Sequence, residues 1–432
     1  MRVINTIFFG LVLSLKIVNA QFVSLPDKAF AEKLRLSNPL LIDANFRLDT
    51  LVALNTTGVL NISDGKIRNL EGIQYFKNIS VLYANDNEIG SFSQVSNLSN
   101  LKKIACKNNK LKELFFLTKL SELEELDCAL NELVVLPSLD YCLKLRALYA
   151  YSNLLEYVPK INHLDSLRIL NLFDNKIKEL PRTDSIDYLE DVSISKNKIE
   201  KMPDFSKNAR LKKVLIHVNL LYDAPKKNLP ASLTFLVISF NYLSFEDFFD
   251  LQSLPNLTDL FFEEQLPIEM PKQINLKEDD TFRLDTKTDT GLNSNQYNWE
   301  LNQVPVFSSN QPYFDIKQAK LENQGEYQCL ITNSQFPNIT LKTTKSKIQV
   351  NKCIGQSCND LYFEPNGDGI ADEIWLDIVG TIQIVDRFGK KVVSLSGPCF
   401  WDGLNQNNEK LPTGLYVLTE SNGNTQRIFM VR

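Results

Sequence analysis

"LRALYAYSNLL", residues 145–155, carries apolar side chains at its first, fourth, sixth and eleventh places and an asparagine at its ninth. The pattern returns every 22 residues: "ISVLYANDNEI" from 79, "LKKIACKNNKL" from 101, "LEELDCALNEL" from 123, "LRILNLFDNKI" from 167, "LEDVSISKNKI" from 189, "LKKVLIHVNLL" from 211 and "LTFLVISFNYL" from 233. All fit L-x-x-L-x-L-x-x-N-x-L, with Ala or Cys tolerated at the third apolar place. The asparagines fall at Asn87, Asn109, Asn131, Asn153, Asn175, Asn197, Asn219 and Asn241 without a slip in register. A fixed period of this length marks a solenoid whose units bury their apolar side only against one another.

The pattern defines a leucine-rich repeat array over residues 51–270 and makes the expected fold class mainly β with a repeat solenoid. Alternate side chains of each short strand point inward and stack into one continuous core. The asparagines are structural. They stand where the backbone bends and its sheet partners end, and a side-chain amide both donates and accepts hydrogen bonds. "GVLNISDGKIRNL" from 58, with Gly65 in the ladder place, and "LTDLFFEEQL" from 257, out of phase with Gln265, read as atypical end repeats. Residues 21–50 are expected to form a helical cap, in which "LPDKAFAEKLRLSNP" is a short helix with Pro26 in its first turn and Phe30 and Leu34 on one face. Cys106 and Cys128 occupy equivalent inward places on adjacent strands, either bridged or as small buried thiols.

Function belongs on the exposed third, fifth, seventh and eighth places, which pave the concave face. Tyr149, Tyr151 and Phe173 fall side by side there, followed around the curve by His217, Phe235, Phe240 and Phe261. Aromatic side chains on a rigid sheet are good anchors for a protein or glycan ligand. The cap and the 22-residue repeats resemble the internalin-like class of bacterial surface proteins over roughly residues 22–270. The resemblance implies recognition of another macromolecule.

A chain of 432 residues, 44% apolar, has material for several cores. The net charge of −5 and the scattered lysines and arginines supply no basic stripe for phosphates, so nucleic acid is not an expected partner. Residues 1–20, "MRVINTIFFGLVLSLKIVNA", read as a secretory signal cleaved before Gln21, with no transmembrane segment expected after cleavage. Export permits disulfides, and the seven cysteines leave at least one without a partner inside the chain.

Past Met270 the period vanishes, and residues 271–351 turn to alternating runs: "DTFRLDT", "YNWEL", "YFDIKQA", "GEYQCLITN" and "KSKIQV". Trp299, Cys329 and Tyr327, two residues before that cysteine, resemble the buried tryptophan, second cysteine and tyrosine corner of an immunoglobulin-like β-sandwich. Thr286 stands where the first cysteine would be, so the resemblance implies a sandwich without its disulfide. It is read as a spacer.

Residues 352–358 form a linker in which Cys353 and Cys358 are a possible disulfide, with Cys358–Cys399 the rival pairing. Over 359–432, alternation in "TIQIVD", "KKVVSL" and "GLYVLTE" predicts a small C-terminal β-sandwich. "FEPNGDGIADEIW", "VDRFGKKV", "WDG", "LPTGLYVL" and the final "VR" resemble the gliding-motility-associated C-terminal domain, the type B sorting signal of type IX secretion. Pro365, Asn366, Gly367, Asp368, Gly369, Asp372 and Trp375 carry the first motif. The resemblance implies export by the type IX secretion machinery to the exterior or outer-membrane surface of a Gram-negative bacterium. A calcium loop starting at Asn366 would place Ile370 and Asp377 at its fifth and twelfth positions, too few carboxylates for that metal.

The two histidines, His163 and His217, have no nucleophile or metal-ligand neighbour in sequence, and there is no zinc spacing or phosphate loop. No enzyme activity, cofactor or metal is therefore expected. The reading is a secreted or cell-surface recognition or adhesion protein. The alternative is a structural component of a surface layer or gliding-motility apparatus.

Overall fold

Each repeat lays down a strand of about three residues because only the central side chain of its x-L-x core must turn inward. The computed structural model describes residues 21–288, 292, 294–351, 361–367, 372–421 and 423–432. The expected signal segment, the linker with Cys353 and Cys358, and Asp368 and Gly369 lie outside the described residues. The chain divides into two units: residues up to Ile238 with Gln252–Phe261, and Ser239–Leu251 with Phe262–Arg432.

In the first unit, β1 (Phe22–Ser24) pairs antiparallel with β2 (Arg47–Asp49), flanked by α1 (Lys28–Ser37) and α2 (Thr50–Asn55). Pro26 precedes α1 and is not within its first turn; Asp27 is the N-cap, its Oδ1 accepting from the Phe30 amide at 3.0 Å. The other oxygen of Asp27 accepts from the Arg68 and Asn69 amides at 2.6 and 2.9 Å, tying the cap to the first repeat. An N-cap bond of this kind contributes about 1 kcal/mol. Phe30 and Leu34 are buried. Helix α2 crosses the boundary expected at residue 50.

The solenoid is a ten-stranded parallel sheet: β3 (Thr57–Asn61), β4 (Asn78–Tyr83), β5 (Lys103–Ala105), β6 (Glu125–Asp127), β7 (Ala147–Tyr149), β8 (Ile169–Asn171), β9 (Asp191–Ser193), β10 (Lys213–Leu215), β11 (Phe235–Val237) and β12 (Asp259–Phe261). Neighbouring strands from β4 to β11 align 22 residues apart, as in Leu126↔Leu148↔Leu170. The last pairing, Phe235↔Asp259, spans 24. The chain is thus mostly β, with a leucine-rich repeat solenoid. Cys106 and Cys128 are free and buried, and burial pushes both thiols up, so they fill core space as unreactive groups.

In the second unit, α3 (Phe245–Gln252) places Phe245, Phe248 and Phe249 against Phe336, with ring centroids 5.7, 5.9 and 4.9 Å away, while Phe262 stacks on Phe248 at 4.4 Å. Beyond it, β13 (Gln273–Lys277), β15 (Asn295–Leu301), β16 (Val304–Ser309), β18 (Gly325–Asn333), β19 (Thr340–Lys342) and β20 (Ser346–Asn351) form one sheet, and β14 (Phe282–Asp285) pairs with β17 (Tyr313–Ile316) in another. The sequence reading missed β13, whose Ile274 and Leu276 alternate inward, and β16 and β19, which carry little apolar alternation. Trp299 lies opposite Cys329, and the Tyr327 hydroxyl donates back to the Asn323 carbonyl at 3.0 Å. Phe314, from the second sheet, sits 6.1 Å from Trp299 and 5.8 Å from Tyr327, so aromatic packing joins the sheets. Thr286 is buried, and Cys329 is a free, buried thiol that desolvation pushes up to about 12.

The C-terminal strands β21 (Leu361–Phe363), β22 (Ile374–Asp386), β23 (Lys391–Trp401), β24 (Gly414–Glu420) and β25 (Thr425–Met430) form one five-stranded sheet, where two sheets of a sandwich were expected. All five strands send side chains into one core around Phe363, Ile384, Trp401, Leu418 and Ile428. A single sheet encloses a core only by curling, and register shifts interrupt the β22–β23 ladder between Leu376 and Gly380 and between Ile384 and Val385. The result is barrel-like.

Candidate functional site

The strands and following turns hold the concave side chains in columns. Tyr149 ends β7, aligned with Asp127 on one side and Asn171 on the other. Tyr151 and Phe173 follow in the turns, and Tyr149, Tyr151, Phe173, His217 and Phe235 are all half-buried. Phe235 and Phe261 meet at 5.4 Å. Phe240 is 39% exposed.

Lysines accompany these rings. Lys107 Nζ lies 5.6 Å from the Tyr151 ring, reaching from two repeats away across the buried Ala129. Lys196 and Lys213 stand 5.8 and 6.0 Å from Phe173 and Phe235. Both are also neutralised, Lys196 by Asp174 at 3.0 Å and Lys213 by Asp191 at 3.3 Å, as Lys103 is by Glu125 at 2.8 Å. Three of the lysines on this face thus pair with carboxylates of neighbouring repeats, while Lys107 lies over the Tyr151 ring. Burial, with the Glu125 and Asp127 carboxylates, raises the Tyr149 hydroxyl, and burial raises Asp127 against the opposing pull of the Ala129 amide.

His217 shares a 2.8 Å hydrogen bond between its Nδ1 and the Ser195 hydroxyl, a pairing with no local sequence signal because the partners are 22 residues apart. Ser195 is fully buried, so its oxygen is out of reach of a substrate, and the bond serves to orient the ring. Burial lowers the His217 pKa and keeps the imidazole neutral at pH 7. Among the described residues no group of three or more His, Cys, Asp or Glu side chains could hold a metal ion.

The asparagines form a ladder behind this face. Asn131 Oδ1 accepts from the Leu111 amide at 2.9 Å, and its Nδ2 donates to the carbonyls of Cys106, Cys128 and Ala129 at 3.1, 3.1 and 3.0 Å. Asn87, Asn109, Asn153, Asn175, Asn197 and Asn219 each donate likewise to their own turn and the preceding one. Asn241 donates to Ser239, and Gln265 Oε1 accepts from the Asn241 and Leu243 amides, taking the ladder place at the end of the array.

Immediately before the ladder runs a second column that sequence reasoning missed. Asp64, Asp86, Asn108, Leu130, Ser152, Asp174, Lys196, Val218 and Phe240 fall 22 residues apart, and every one has φ between 51° and 58°. Left-handed backbone costs a residue with a Cβ roughly 1–2 kcal/mol, least for Asn and Asp. Leu130, Val218 and Phe240 break that preference, and they are 40, 41 and 39% exposed. The signal was in the sequence: large apolar residues at a place the other repeats fill with Asp, Asn, Ser or Lys.

In the C-terminal region, Asp372 Oδ1 accepts from the Gly367 amide at 2.6 Å, and Gly367 has φ 85°, which explains its glycine. Trp375 packs on Phe400 at 4.7 Å, and its amide donates to Gln349 Oε1. Lys347 pairs with Glu373 while lying 3.5 Å over the Phe400 ring. The motif's second half is thereby fastened to β20, a contact the sequence did not announce.

No protein-family profile matches the chain, and no curated protein matches it in sequence. Among solved structures it is similar to an internalin, InlF, from Listeria monocytogenes, at 22% identity over 56% of this chain and 70% of that one, with a TM-score of 0.50. It is also similar to Listeria monocytogenes InlP, at 17% identity over 76% of this chain and 96% of that one, with a TM-score of 0.51. This likeness concerns the fold: a leucine-rich repeat solenoid of the internalin kind. No helix among the described residues is long and apolar enough to cross a membrane.

Proposed function

We propose that the chain is an exported recognition protein that binds a protein or glycan ligand through its concave face. The observation that carries this reading is the run of half-buried Tyr149, Tyr151 and Phe173 on adjacent repeats, with Lys103, Lys196 and Lys213 beside it held in ion pairs. Solenoids of this kind bind through such extended concave surfaces. Trp299 beside Cys329, and the Tyr327 hydroxyl bonded back to Asn323, support an immunoglobulin-like spacer over 271–351. The turn at Gly367 and Asp372 supports the type B sorting role of residues 359–432.

Replacing Tyr149, Tyr151 and Phe173 together by Ala tests the binding face in the full chain. Capture of the ligand found by screening the parent chain on glycan and extracellular-protein arrays should weaken by about 30-fold or more, the scale of a hot-spot loss above 2 kcal/mol. The melting curve should persist as a single folded transition. Unchanged capture would remove the concave patch from the reading. Failed assembly on the cell surface with unchanged ligand capture would favour the structural-component alternative.

A further inference from the structure

The hairpin joining β22 to β23 ends in Arg387, Phe388, Gly389 and Lys390, followed by Lys391, and all five residues are exposed. Phe388 is 79% exposed, and the Arg387 guanidinium lies 4.7 Å from its ring. Asp386 makes this tip rigid. Its Oδ1 accepts from the Phe388 and Lys390 amides, both at 2.9 Å; its carbonyl accepts from the Gly389 amide and its own amide donates to the Lys390 carbonyl, again at 2.9 Å. Gly389 takes φ 80°, which the turn needs.

None of this geometry needs an aromatic at 388. Asp386 and Gly389 set the turn, and a polar residue between them would serve the fold equally. A large aromatic side chain held out on a rigid loop loses little conformational entropy on docking, and Phe and Arg are suited to anchoring an interface. Three cations, Arg387, Lys390 and Lys391, stand on the same tip as the ring, and among the described residues none is in an ion pair. The carboxylate of Asp386 is turned into the loop by its two amide bonds.

We infer that this tip is a docking finger, with Phe388 entering an apolar pocket of a partner protein whose rim carries carboxylates that face Arg387, Lys390 and Lys391. The inference rests on the proposed sorting role of residues 359–432 and identifies the part of that domain a secretion receptor would grip.

The test uses the full chain expressed in a bacterium with type IX export, with Phe388→Ser, the triple change Arg387→Glu, Lys390→Glu and Lys391→Glu, and Val379→Ser compared by the amount reaching the exterior. Val379 is 88% exposed in the same domain but outside the tip. Phe388→Ser and the triple variant should each lower exported protein at least tenfold and accumulate it in the periplasm, while Val379→Ser exports normally and all three melt like the parent. A chain lacking residues 359–432 that is trapped while Phe388→Ser is exported normally would overturn the finger alone. Normal export of the truncated chain would overturn the sorting role and the finger with it. Sedimentation of the full chain with phosphatidylglycerol vesicles, lost in Phe388→Ser, would assign the tip to a membrane surface and overturn the protein pocket.

Discussion

Two adjacent columns of the solenoid, the asparagine ladder and the left-handed place just before it, obey different rules although they are neighbours in every repeat. The ladder holds Asn eight times, because each amide must meet backbone groups on two successive turns. The left-handed column has a fixed backbone, φ 51–58° from Asp64 to Phe240, but side chains that range from Asp to Lys, Leu, Val and Phe. One column is constrained through its side chain, the other only through its main chain. The freedom of the second admits exposed apolar residues, Leu130, Val218 and Phe240, at a conformational cost that folding alone does not require.

The comparison breaks most visibly at Asn131. Asn131→Ala removes one acceptor and three donor contacts from buried backbone groups, and should lower unfolding free energy by about 1–3 kcal/mol, read from the denaturant midpoint. The residue before a ladder asparagine should behave in the opposite sense. Val218, β-branched at φ 55°, is the least suited of its column, so Val218→Asn should raise stability by about 1 kcal/mol. Asp86→Val, which puts a β-branched residue at φ 55° and removes the bond Asp86 accepts from Asn108 Nδ2, should lower stability by about 1 kcal/mol. Equal destabilisation by Val218→Asn and Asn131→Ala would erase the distinction between the columns. A stabilised Val218→Asn chain that captures ligand less well would sharpen it.

The array was legible because its information is local and repeated. A strand, a bend and an amide recur every 22 residues, and each aligns with its neighbour, as Lys103 does with Glu125. Tyr149, Tyr151 and Phe173 could be placed on one face by counting. The contacts themselves were missed: the Ser195–His217 bond and the Lys107–Tyr151 contact, one and two periods apart, which the register aligns but residue type alone does not pair, and the α3 phenylalanines gathered around Phe336, whose i, i+3, i+4 spacing at 245, 248 and 249 was the available clue. In the C-terminal region alternation located β22, β23 and β24 but not β21 or β25, and nothing in a period of two says whether five strands divide into two sheets or curl as one. That depends on the shifts between Leu376 and Gly380 and between Ile384 and Val385, which are pairing events; the isolated Gly380, at φ 112°, is the only trace of the first in the sequence, and the second leaves none.

The smallest effect concerns His217, the one titrating group of the concave aromatic run near neutrality. Burial lowers its folded pKa below the ordinary value of about 6.5. As pH falls through 6.5 the unfolded chain takes up a proton that the folded chain still refuses, so stability drops from there down to the folded pKa and changes no further through this group below it. His217→Gln removes that term while keeping a polar side chain beside the Ser195 hydroxyl. The fall in melting temperature between pH 7 and pH 5 should therefore be smaller in His217→Gln than in the parent. Parallel pH profiles would mean that the imidazole is as well hydrated in the solenoid as in the unfolded chain, and that the packing around it is looser than its burial implies.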